Sequence, residues 1–262
     1  MPLAPFIHRI KYNIPLFLVF IFTGTLVYNL IAFPFSAENR FKVFFQQTVD
    51  LDTGFNRATL VGIEQYTRDI ISYIPSAAGQ SIICTVYSED RKGLSACSYD
   101  GIPPNVVPKF GHSNSSIDNY QSWLEYNVTR ILNENKATFR VFGRETKSCA
   151  IRFDQPFTAF HVHDAATHKN YWSDVPETGS DEIKLWHRDW NRIWEVDVEW
   201  PVSDDKIAGE EGRSGKIVCL WNEHSIPGTI PALDEIQRFS PAWATTVKLK
   251  DGLVEGRRKF TV

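Results

Sequence analysis

Trp194-Glu195-Val196-Asp197-Val198-Glu199-Trp200 alternates without interruption, two Trp and two Val on one side and three acids on the other. Successive side chains of a strand point to opposite faces, so this stretch reads as a β-strand with one face in a core and one in water. Working outward, similar runs recur at Arg57–Ile63, Ser81–Tyr87, Ala137–Phe142, Cys149–Phe153, Thr158–His163, Glu182–Trp186, Lys216–Trp221 and Thr245–Leu249. Gly256–Val262 is a further candidate. Turn residues separate them at Asp52-Thr53-Gly54, Gly101-Ile102-Pro103-Pro104, Glu177-Thr178-Gly179-Ser180 and Asp251-Gly252. One stretch has helical spacing: Ile63, Tyr66, Ile70, Ile71 and Ile74, stopped by Pro75, which predicts a helix over Glu64–Ile74. Many short strands and one short helix favour an all-β, β-sandwich-like domain over a βαβ arrangement. The segments Gly111–Asn119 and Ser203–Gly215 are polar and read as loops, and there is no internal repeat.

Composition agrees. Hydrophobic residues form 43% of the 262, enough for a packed core. Eight Trp, nine Tyr and eighteen Phe against one Met suit sheets better than helical bundles. The net charge is −3, and setting aside Arg9 and Lys11, the only charges of the first 33 residues, leaves −5. Nucleic acid is excluded as a partner, because phosphate binding needs a basic surface.

Ile14 to Phe33 is a twenty-residue stretch without a charge. As a helix it spans about 30 Å, the thickness of the hydrocarbon core. Thr23, Gly24, Thr25 and Asn29 are small or able to bond back to the helix. A cleaved signal would have an apolar region of ~7–15 residues and a small-residue cleavage site; this one is longer and ends Ala32-Phe33-Pro34-Phe35, so an anchor is expected. His8, Arg9 and Lys11 precede it, which by the positive-inside rule leaves 1–13 cytoplasmic and places 34–262 on the lumenal side. The sequons Asn114-Ser115-Ser116 and Asn127-Val128-Thr129 fit that side. So do Cys84, Cys97, Cys149 and Cys219, an even set past the anchor. Three pairings exist; Cys84–Cys97 with Cys149–Cys219 is favoured, because the first pair brackets the turn-rich Ser88–Gly93.

No catalytic, cofactor or metal residue is assigned. His161-Val162-His163 puts two imidazoles on one strand face, with Asp164 and His168 near in sequence, but a metal would need a third ligand from a distant segment and none declares itself. Gly209–Lys216 is not a phosphate loop, since Ile217 stands where Ser or Thr is needed. His187-Arg188-Asp189 and Glu210-Glu211 echo di-zinc ligand pairs, yet no βαβ pattern surrounds them, and the first reads as a hairpin turn. Trp186, Trp190 and Trp194 could stack on sugars; the simpler reading has Trp194 and Trp200 in the core and Trp186 packed at a hairpin.

Phe35–Arg40, Phe44–Gly54, Ile74–Ala78, Pro103–Pro108, Gly228–Ala232 and Asp251–Gly256 together resemble the C-terminal end of fungal vacuolar membrane proteases, multi-pass members of the aminopeptidase-like zinc metallopeptidase class. The resemblance covers nearly the whole chain, with Ile14–Phe33 as the family's last span. It implies a vacuolar-membrane location and a zinc-binding catalytic domain in polypeptide outside these residues. No zinc ligand or catalytic acid is therefore carried over. Met1 is compatible with a truncated product, a partial gene model or a standalone paralogue. The expected role is that of a non-catalytic accessory module, in contact with the membrane through 14–33 and with a protease domain or another membrane protein. The alternatives are a standalone carbohydrate- or peptide-binding sandwich and a non-functional fragment.

Overall fold

The computed structural model describes residues 13–88, 93–108, 120–131, 135–164, 173–201 and 213–262. They fall into two units, one reaching Phe41 with Ala242–Ala244, the other holding the rest.

In the first unit, α1 (Asn13–Ile31) has no buried residue. Its polar side chains bond inward as expected: Thr23 Oγ1 donates to Val19 O at 2.8 Å, Thr25 Oγ1 to Phe22 O at 2.9 Å and Asn29 Nδ2 to Thr25 O at 2.8 Å. The helix ends two residues before the expected Phe33, because Pro34 disfavours a helical residue ahead of it. Phe33 then meets Trp243 edge-on at 5.0 Å, and Phe35 lies 5.0 Å from Phe41.

The second unit is built from strands. In chain order they are β1 (Phe41–Asp50), β2 (Asn56–Gly62), β3 (Ile83–Val86), β4 (Ser95–Tyr99), β5 (Leu124–Ile131), β6 (Lys136–Gly143) and β7 (Ser148–Phe157). Then follow β8 (Ala159–Val162), β9 (Ser173–Asp174), β10 (Ser180–Trp186), β11 (Ile193–Glu199), β12 (Ser214–Trp221), β13 (Ala244–Lys248) and β14 (Val254–Thr261). The larger sheet has the order β10-β7-β12-β14-β1-β2-β4-β3, with β13 also on β1; the smaller is β5-β6-β11-β8-β9. From β6 onward the chain crosses repeatedly between the sheets, whose facing sides meet in a shared core. Phe139 of the small sheet lies 5.5 Å from Phe153 and 5.1 Å from Phe260 of the large one, and Phe153 lies 5.5 Å from Trp200. The all-β, sandwich-like expectation holds.

Details differ for physical reasons. β1 escaped the alternation rule although its burial alternates: Phe41, Val43, Phe45, Gln47 and Val49 share the buried face, but Gln47 puts a polar residue there and Phe44 an apolar one on the more open face. Gln47 is held there by Nε2 donating to Asn56 Oδ1 at 2.6 Å and Ile102 O at 2.9 Å. α2 (Glu64–Ser72) stops short of Ile74, where a 3-10 turn at Pro75–Ala77 takes over. A second short helix, α3 (Pro231–Phe239), was not expected; two turns carry too little periodicity to read, and it forms by burying Ala232, Leu233 and Ile236. Between β1 and β2 the expected turn is present. Asp50 Oδ1 accepts from the amides of Asp52 and Thr53, both at 3.0 Å, and Gly54 takes φ +75°, a conformation that favours glycine.

Both favoured disulfides are formed, Cys84–Cys97 and Cys149–Cys219. Each joins residues directly opposite in a ladder, β3 to β4 and β7 to β12. Gly143 is forced beside the second: a Cβ there would lie 2.5 Å from Thr146 Cγ2 and 3.1 Å from Cys149 Sγ.

Tyr99 closes β4 with a buried hydroxyl that has no hydrogen-bond partner among the described residues. Burial, with the charge of Glu235 adding to it, pushes its phenol well above the ordinary value of 10.0. A raised folded-state pKa means that its contribution is intact below pH 10 and is lost as the pH rises further, where the unfolded chain ionises first. Unfolding titrations should show stability falling above pH 10 by up to ~1.4 kcal/mol per pH unit from this group. Tyr99→Phe should flatten that slope and leave stability at pH 7 equal or higher; an unchanged alkaline slope would assign it elsewhere.

Candidate functional site

The small sheet gathers the only group of three metal-ligating side chains found among the described residues: His161, His163 and Asp197. β8 pairs with β11 so that His161 lies opposite Asp197, and the His163 amide donates to Glu195 O at 2.9 Å. Alternation then places all three side chains on the half-exposed face that the sequence marked as acidic. Asp197 Oδ2 lies 2.7 Å from His163 Nε2 and 3.9 Å from His161 Nδ1. The other oxygen, Oδ1, accepts from the Thr138 hydroxyl of β6 at 2.7 Å. The two imidazoles are edge to face, ring centres 4.7 Å apart. Asp164, expected nearby, turns away at φ +56° toward Arg192, 3.5 Å off. His168 lies outside the described residues.

The partner that sequence reading missed was Asp197. It sits in the very strand that identified the fold, 34 positions from His163, and only the pairing of β8 with β11 brings it across. The middle acid of an alternating strand carries no signal of its own.

The outer face of the large sheet holds a second feature, an open cleft of about 780 Å³. Trp186 and Trp190 at its rim remain 70% and 50% exposed, and Lys147 Nζ lies 4.3 Å above the Trp190 ring. Trp194 and Trp200 are buried as the core reading required, but Trp186 is not packed. The reason is that His187-Arg188-Asp189 is no hairpin turn: it links β10 and β11, which belong to different sheets. His187 Nδ1 accepts from the Asp189 amide at 2.9 Å, which leaves Asp189 in the loop. Glu210 and Glu211 lie outside the described residues.

On the cleft floor Arg152 Nε donates to Glu182 Oε1 at 2.8 Å, and its Nη1 to Glu255 Oε1 at 3.3 Å. Partial burial would lower the Arg152 pKa, but the hydrogen bond to Glu182 and the charge of Glu255 hold it above its ordinary value. Lys216 belongs to β12, in keeping with a strand and not a phosphate loop. The sequon residue Asn127 is exposed on β5; Asn114 lies outside the described residues.

Fold and sites together define a class, a two-sheet domain stapled by disulfides and accompanied by one helix long and apolar enough to cross a membrane. The profile of the vacuolar membrane protease C-terminal domain matches residues 41–255. The chain belongs to that family. It is 58% identical over 259 residues to the vacuolar membrane protease of Sclerotinia sclerotiorum, covering 99% of this chain and 24% of that protein. It is 57% identical to that of Botryotinia fuckeliana, covering all of this chain and 25% of that protein. For the protein of Emericella nidulans the identity is 42%, with 26% of that protein covered. The chain thus spans about a quarter of the length of these relatives.

Proposed function

We propose that this chain acts as a membrane-anchored, glycosylated lumenal module of the vacuolar membrane, without peptidase activity of its own, that packs against, stabilises or gates a zinc protease domain carried on other polypeptide. The observation that carries this reading is the family match, which assigns the β-domain to a C-terminal quarter of proteins named as proteases. Two cross-strand disulfides and an exposed Asn127 support the oxidising side of the membrane. The cations Arg9 and Lys11 ahead of the apolar helix support the same orientation.

The full chain translated with microsomes should therefore gain a glycan that Asn127→Gln removes, and residues beyond α1 should resist added protease. In detergent it should turn over no aminopeptidase substrate. Cytoplasmic cleavage of the β-domain, or turnover by the purified chain, would sink the proposal. The exposed Trp186 and Trp190 beside the cleft favour a second reading, a sugar- or peptide-binding sandwich, because stacking needs aromatic faces that water can reach.

A further inference from the structure

We infer that His161, His163 and Asp197 form a binding site for one divalent transition-metal ion of the Zn²⁺ class, on the exposed face of the small sheet. The inference is independent of the accessory role, since metal occupancy and peptide turnover are measured separately.

The donors come first. Two imidazoles and one carboxylate are the ligand set that suits zinc and its neighbours; calcium and magnesium ask for oxygen. Their atoms all lie within 4.8 Å of one another. Zinc bonds of about 2.0–2.1 Å in a tetrahedron place ligand atoms about 3.3 Å apart. The distances from Asp197 Oδ2, 2.7 Å and 3.9 Å, straddle that spacing. Small side-chain rotations would equalise them without moving the backbone, which the β8–β11 ladder fixes. His163 Nε2 would give up the hydrogen of its present bond by carrying its proton on Nδ1 instead.

The surroundings distinguish Asp197 from its neighbours. Along β11, Glu199 faces Lys136 at 3.8 Å and Glu195 faces Arg140 at 3.7 Å, each acid with a cation on β6. Between them, Asp197 faces the uncharged Thr138 in the same register. Where the pattern calls for a third Lys or Arg, the carboxylate instead has a hydroxyl on Oδ1 and two imidazoles on Oδ2. A hydroxyl that fixes one carboxylate oxygen and so aims the other is the outer-shell arrangement that tunes metal ligands. The ligands sit on the half-exposed face of the sheet, His163 the most open at 41%, so the fourth position is accessible to water. A bound ion would also tie β8 to β11 through side chains as well as the ladder.

The full chain in detergent, stripped with a chelator, should be titrated with Zn²⁺ against a chromophoric chelator. One equivalent should bind. His161→Ala, His163→Ala and Asp197→Asn should each weaken it by about 100-fold and Thr138→Val by ~10-fold, whereas His187→Ala should change nothing. Near-ultraviolet dichroism and intact disulfides identify any variant that has misfolded. For such a variant, selective broadening of the His161 and His163 ring signals by Co²⁺ in the unmodified chain supplies the test. Binding that survives in the His161→Ala/His163→Ala double variant, absence of binding to the folded chain, or displacement of Zn²⁺ by equal Mg²⁺ would each overturn the inference.

Discussion

Replacing Cys149 and Cys219 together by alanine should lower the unfolding free energy by about 4–5 kcal/mol, a large share of a typical domain's margin of about 5–15 kcal/mol. The bond closes a loop with a sequence separation of 70, and in the chain-entropy account the stabilisation grows with the logarithm of that length. Its position adds to this. Both cysteines are buried, so the substitution also removes packed atoms beside Gly143. Cys84–Cys97 makes the contrast. Its separation is 13, for which the same account gives ~3 kcal/mol, and it holds an edge strand whose residues are largely exposed. Removing it should fray β3 locally and leave the two-sheet core cooperative. Denaturant unfolding of the two double variants without reductant checks the order; equal losses, or a loss below 1 kcal/mol for Cys149/Cys219, would contradict it.

Both pairings were legible because a turn-rich segment leads from Cys84 to Cys97, which leaves Cys149 for Cys219. More of the fold could be read: β11 shows its period openly, since it lies between water and a core. β1 could not, because a polar Gln47 on its buried face and an apolar Phe44 on the other blur the contrast that makes alternation visible, and Gln47 is explained only by its partners Asn56 and Ile102. α3 stayed hidden for want of length. The sites were less legible still. His161 and His163 could be seen as a pair, but Asp197 joins them through register, and register between β8 and β11 is a property of the folded sheet. Trp186 was placed wrongly because two alternating runs seven residues apart suggest a hairpin, whereas here the chain changes sheets.

Within the segment Asp251–Gly256, Glu255 has a physical role that the sequence conceals. Glu255 is a carboxylate on the outer face of the large sheet, yet its side chain is only 2% exposed. Three donors compensate for its lost water: Gln46 Nε2 at 2.9 Å, Arg152 Nη1 at 3.3 Å, and Arg257 Nε. Glu255→Ala should therefore cost about 3 kcal/mol, the low end for breaking a buried ion cluster. The low end applies because Arg152 keeps Glu182, and both guanidinium groups reach solvent, Arg152 at 28% and Arg257 at 39%. Glu255→Gln should cost less, since an amide oxygen still accepts from Gln46 or an arginine. In a double-mutant cycle, Glu255→Ala and Arg152→Ala should cost less together than the sum of the two, because the second change removes a cation that the first left with one partner fewer. Strict additivity would mean that the two charges do not interact, and the carboxylate's burial would then rest on Gln46 and Arg257 alone.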